Sequence, residues 1–150
     1  MVFTPFKLNV YLFFKLPSAF WCGVRAESIS YTTCQSSVKY KWFNQNPFGS
    51  IYFAVLAMAA EFTTGVLVMQ EIKKYDLKIS MLVLNSTAHF SKKANGRIVF
   101  SCTEGEKIRE VVKSVVKTNE SKTIWLSSTG RDKMGDEVAQ LKFEWTMKVK

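Results

Sequence analysis

With one histidine and three cysteines in 150 residues, the chain has little material for metal or thiol chemistry. Cys22, Cys34 and Cys102 form no Cys-x-x-Cys pair, and His89 alone does not complete a typical structural zinc site, so no metal and no cofactor is expected. An odd cysteine count argues against a disulfide framework. It fits small buried hydrophobes in a reducing, cytoplasmic compartment. Gly-x-Ser-x-Gly, the phosphate-binding P-loop and the dinucleotide-binding glycine run are all missing, which excludes the common routes to nucleotide hydrolysis and hydride transfer. His89 has no Ser or Cys motif around it and is given no catalytic role. There is no internal repeat, low-complexity tract or linker. No targeting segment is expected: Lys7 and Lys15 interrupt the apolar start, and neither a basic leader nor a small-residue cleavage site flanks it.

Positive charge is plentiful but never concentrated. Twenty-one Lys and Arg against twelve Asp and Glu give a net charge of +9, which favours anionic ligands. These cations stand in singles and pairs such as Lys73 with Lys74 and Lys92 with Lys93, with no run of five and no arginine-rich helix. That scatter reads as solvated surface, and nucleic acid is not expected as a partner.

The composition, 47% hydrophobic and 22% charged, is that of a globular chain whose length can bury a core without staples. One domain over residues 1–150 is expected, with 1–22 as an amphipathic helix and lead-in. In that lead-in Phe6, Val10, Phe13 and Phe14 recur at helical spacing, which predicts a helix over Pro5–Leu16, ended by Pro17 and lidding the core through those residues. Between Gly23 and Trp42 two strands form a hairpin. Ser36, Val38, Tyr40 and Trp42 share one face and Ser37, Lys39 and Lys41 the other. The cluster Asn44 to Gly49 then breaks the chain, and Ser50 stands where a helix N-cap would.

From Ile51 to Met69 nineteen residues are nearly all apolar. That length brushes the lower limit of a membrane span. Glu61, however, would sit near the bilayer centre at a cost of about 2.5 to 3.5 kcal/mol, beside Thr63, Thr64 and Gly65. The strands that follow need a core partner as well. A helix wrapped by a sheet and a second subunit satisfies both facts, so no membrane span is expected.

The second half is strand-rich. Leu77 to Phe90 places Leu77, Ile79, Met81 and Val83 on one face with Leu82 and Leu84 on the other, which predicts a central strand covered on both sides. Asn95-Gly96 makes a turn into a strand over Arg97–Cys102. Glu104 to Thr118 groups Ile108, Val111, Val112, Val115 and Val116 on one helical face. A strand over Thr123–Thr129 follows. In the last stretch Ala139, Leu141, Phe143, Trp145, Met147 and Val149 alternate cleanly with polar residues. The fold class is α+β, an antiparallel β-sheet wrapped around a long central apolar helix.

The junction before that helix carries a resemblance. Asn46-Pro47-Phe48-Gly49-Ser50-Ile51-Tyr52-Phe53-Ala54, with Val55 to Ala60 and then Glu61, resembles the Asn-x-x-Gly-x-x-His-Gly-Gly run followed by Asp or Glu in the hotdog-fold acyl-CoA thioesterase superfamily. The register holds without a gap. The likeness extends from about Gly23 to the C-terminus and is nearest to a less characterised thioesterase branch. It departs at Tyr52, where His is common, and at Phe53 and Ala54, where two glycines let a thioester approach the backbone.

The resemblance implies a hotdog fold and a thioester such as acyl-CoA as the ligand. Glu61 would be the catalytic general base or nucleophile, and Asn46 would orient water or that carboxylate. The Phe53 N–H would serve as the oxyanion donor. Gly49, Tyr52, Phe53, Ala54 and Thr64 would contribute to substrate binding, with Thr64 bonding either Glu61 or its own helix backbone. A homodimer or a dimer of dimers is expected, because the central helix and one thin sheet leave more apolar surface than a single subunit can cover. Three function classes remain open: a thioesterase, a hotdog protein that binds acyl-CoA or another acyl ligand without turnover, and a basic RNA- or membrane-binding module.

Overall fold

The architecture comes from a computed structural model, which describes residues 2–150. Met1 lies outside the described residues, so the 1–22 lead-in is followed from Val2. Thr4 caps α1 (Pro5–Lys15), its hydroxyl accepting from Lys7 N, and Pro5 occupies the first turn where a missing N–H costs nothing. Pro17 ends α1 and starts a short second helix, α2 (Pro17–Trp21). The face of α1 is the reverse of the sequence expectation. Leu8 and Leu12 are buried, while Phe6, Val10, Phe13 and Phe14 are exposed. Leu8 and Leu12, one turn apart, fit the space between α1 and the core; the bulkier phenylalanines lie outside it.

β1 (Arg25–Ile29) and β2 (Cys34–Lys39) form the expected hairpin, closed by Ser30 N donating to Thr33 O. The central helix α3 (Phe53–Ile72) starts two residues later and ends three residues later than the hydrophobic run suggests. Ser50 is not its cap. Ile51 instead pairs with Gln45 in an isolated bridge, and its N–H donates to Ala94 O at 2.8 Å, so the helix begins only after Tyr52. α3 is long and apolar enough to cross a membrane, yet most of it is buried here as the core of the fold.

The remaining elements are β3 (Ile79–Phe90), β4 (Arg97–Cys102), α4 (Gly105–Thr118), β5 (Lys122–Arg131) and β6 (Glu137–Val149). All six strands join one antiparallel sheet in the order β1-β2-β4-β5-β6-β3. α3 packs across β2, β4, β5 and β6 and against α4. The β6 alternation is as expected, with Ala139, Leu141, Phe143, Trp145 and Met147 all buried. β3 is not. It lies at the sheet edge, paired only with β6, and Leu82 and Leu84 are exposed. Its two apolar faces therefore reflect surface left bare in the single chain rather than a central position.

Candidate active site

Asn46 organises the approach to α3. Its Oδ1 accepts from Phe48 N (2.9 Å), Ser50 N (3.2 Å) and Ser50 Oγ (3.2 Å), and its Nδ2 donates to Ser50 Oγ (2.9 Å). The side chain is thus engaged within its own turn. Gly49, at φ +76, takes the left-handed conformation that this turn requires and that a side chain would strain. Asn44, which sequence inspection passes over as one more turn residue, is the deeper anchor. It is buried, its Nδ2 donates to Cys22 O and Lys39 O (2.9 Å each), and its own carbonyl accepts from Tyr52 N at 2.9 Å.

These bonds deliver α3 with no side chain capping its start. The N–H groups of Phe53 and Ala54 have no acceptor within the helix, and the positive end of the helix dipole lies there. Beside it opens a cleft of about 490 Å³ lined by Asn46, Tyr52, Phe53, Leu56, Phe90 and the Ser91–Ala94 loop. Lys92 and Lys93 stand on that loop. Lys92 bridges to Asp132 (2.6 Å) and Asp136 (2.8 Å), and Lys93 Nζ donates to Phe48 O at 3.2 Å. Tyr52 and Phe53 meet edge-on at 5.0 Å, and Phe53 meets Phe90 at 6.2 Å, giving the cleft an aromatic wall.

Glu61 lies eight residues beyond Phe53 along the helix, about 12 Å at 1.5 Å per residue, and lines other cavities. One, of about 220 Å³, is bounded by Tyr11, Leu16, Gly65, Met69, Met81 and Trp145; the second, of about 240 Å³, by Lys15 to Ala19 and Met58. Among the described residues no hydrogen bond or ion pair reaches its carboxylate. Burial among these apolar groups pushes the Glu61 carboxyl up to about 6. Gly65, one turn on, leaves the room this requires. A Cβ there would lie 3.2 Å from the Trp145 ring and 3.4 Å from Glu61 Oε1.

Thr64 back-bonds its own helix, donating to Glu61 O at 2.8 Å, and accepts from Trp145 Nε1 at 3.0 Å. Trp145 is therefore a neighbour of the Glu61 segment that the sequence marks only as one more core position on β6. Within one chain, Asn46, Tyr52 and Phe53 gather at the cleft, whereas Glu61 stands about two helical turns away and Thr64 about three. Ala54 follows Phe53 in the first turn of α3, and Gly49 shapes the turn before it.

A six-stranded antiparallel sheet wrapped around one apolar helix, with a turn feeding the helix start and a carboxylate at its middle, is the hotdog fold. The chain belongs to the family described as a domain of unknown function, DUF4442, whose model matches residues 8–147. Solved structures agree on the fold. PA5026 of Pseudomonas aeruginosa, described as a probable thioesterase, superposes with a TM-score of 0.80 at 20% identity, covering 97% of each chain. OLEI01261 of Chlorobaculum tepidum, a protein of unknown function, gives 0.80 at 15% identity over 97% of this chain and 96% of its own. The thioesterase HI1161 of Haemophilus influenzae gives 0.75 at 11% identity, over 98% and 92%. No curated protein matches the chain significantly.

Proposed function

We propose that this protein is an acyl-CoA thioesterase with Glu61 as its general base. The observation that carries the reading is the half-buried carboxylate on the core helix, which no hydrogen bond or ion pair reaches among the described residues. A charge in apolar surroundings with no partner destabilises a fold, and such groups concentrate at functional sites. Structural neighbours described as thioesterases support the reaction class.

The hotdog resemblance places such a site across a dimer interface. The edge strand β3 exposes Leu82 and Leu84 along twelve residues, a surface suited to a second copy. In the homodimer we propose, Glu61 of one subunit meets the Phe53 N–H of the other, joining what lies two helical turns apart in one chain. Glu61 then takes a proton from water, and the water oxygen attacks the thioester carbonyl carbon. The developing oxyanion meets the free N–H at the start of α3, the C–S bond breaks, and the thiolate leaves with a proton to give the carboxylic acid and coenzyme A. The 490 Å³ cleft, aromatic on one wall and lysine-bearing on its loop, suits an acyl thioester with phosphates outside. A reducing cytoplasmic setting fits both the thiol product and the three free cysteines.

A second reading is favoured by one feature. Tyr52 and Phe53 carry large exposed rings at the helix start, where glycines would leave the backbone open, and this suits a protein that binds acyl-CoA without turning it over. Thiol release from a panel of acyl-CoAs, measured beside calorimetric binding, separates the two. Release at a rate above background supports hydrolysis. Binding without release supports the second reading, and neither one on any chain length overturns both.

A further inference from the structure

α1 and α2 turn an aromatic face outward. Phe6 is 78% exposed, Phe14 70% and Trp21 60%. The rings form a continuous edge-to-face series, Phe14 to Phe13 at 4.9 Å, Phe13 to Phe20 at 5.1 Å and Phe20 to Trp21 at 6.0 Å, which ties the two helices into one surface. A shallow groove of about 270 Å³ between Phe6, Val10, Phe13 and Phe20 completes it. Exposed aromatics on this scale on a helix with its aliphatic side already buried mark a contact surface.

Charge identifies the partner. Neither α1 nor α2 contains an Asp or a Glu. Arg25 is held on the face itself, its guanidinium 3.8 Å from the centre of the Phe20 ring and its Nη1 donating to the Phe20 and Val24 carbonyls at 2.7 Å. Lys15 closes the last turn of α1. Exposed phenylalanine and tryptophan on acid-free helices, with Arg25 against the rings and Lys15 at the helix end, is the pattern of a helix lying in the headgroup region of an anionic bilayer, rings in the acyl boundary and cations at the phosphates.

We infer that the α1–α2 face docks the protein on anionic phospholipid membranes, as a peripheral contact distinct from any span by α3. Leu16, at the corner between the helices, also lines both Glu61 cavities, so this face is continuous with the Glu61 region. The docking does not depend on catalysis.

The test is co-sedimentation of the full chain with phosphatidylcholine vesicles, with and without a third of phosphatidylserine. The expected result is binding to the anionic vesicles, weakened when salt is raised from about 0.1 M to about 1 M, where the Debye length falls from about 10 Å to 3 Å. The double variant Phe6→Ser with Phe14→Ser should bind on the order of a hundredfold more weakly, each ring contributing about a factor of ten. Its melting temperature should stay unchanged, because both rings are already in water. Three results overturn the inference: no binding by the parent, equal binding by the double variant, or a drop in oligomer size on substitution while the parent fails to sediment with vesicles. The last would assign the face to a second copy of the chain.

Discussion

The indole N–H of Trp145 donates to the Thr64 hydroxyl at 3.0 Å, across 81 residues of sequence, and Thr64 hands its own proton to the Glu61 carbonyl. β6 is thereby fastened to the turn of α3 that carries the candidate base. Thr64→Val keeps the shape but leaves the buried indole N–H without an acceptor. Urea denaturation should show a loss of about 1 to 3 kcal/mol. A Thr64→Ser variant, which restores the hydroxyl, should recover most of it.

Glu61 sets a pH dependence of stability with a definite sign. Its folded pKa, about 6, lies above the ordinary 4.5, so between these values the folded state holds a proton that the unfolded chain has lost. Stability from this group is full below pH 4.5 and falls as pH rises through about 6. The difference is at most about 2 kcal/mol, and less to the extent that water reaches the half-buried carboxylate. Glu61→Gln removes the penalty. The variant should melt higher than the parent at pH 8, with the gap closing by pH 4.5.

Cys34 and Cys102 face each other across β2 and β4, both fully buried, and burial pushes their thiols up to about 12 and about 11. Neither should react with an aromatic disulfide reagent while the protein is folded. Cys22 is half-buried, with its thiol also raised, and should react slowly. Titration should therefore find one slow thiol in the native protein and all three after denaturation.

The bare edge at β3 predicts association. Light scattering should give a particle of at least twice the 17.2 kDa chain mass at micromolar concentration. Replacing exposed Leu82 and Leu84 with Lys should shift it toward the monomer, and a parent that runs as a monomer would remove the paired site.

What could be read in the sequence depended on how much choice each pattern left. β6 alternates strictly, so its inward face was unambiguous, and the long apolar run could only be a core helix or a span once Glu61 was weighed. α1 offered two apolar faces. Its phenylalanines outweigh Leu8 and Leu12 in bulk, but the leucines fit the gap between α1 and the core, and periodicity does not reveal the shape of a gap. β3 is apolar on both sides whether it lies at the centre or at an edge that another subunit covers, and only the pairing order decides. Glu61 stood out because carboxylates are rare on such helices. Trp145 did not, because its bond to Thr64 joins two elements whose contact no local spacing encodes. The resemblance sets Asn46 and Tyr52 in one site with Glu61, yet two turns of helix keep them from sharing a cavity with it in one subunit.

The direct test of the account is thioester hydrolysis by Glu61→Gln. The substitution keeps the shape of the side chain and removes the base, so kcat/KM on the best acyl-CoA should fall by roughly two orders of magnitude or more while acyl-CoA binding stays intact. In the parent, kcat/KM should rise with pH through about 6 as the carboxylate ionises. A variant that hydrolyses the same acyl-CoA as fast as the parent would contradict the assignment of Glu61.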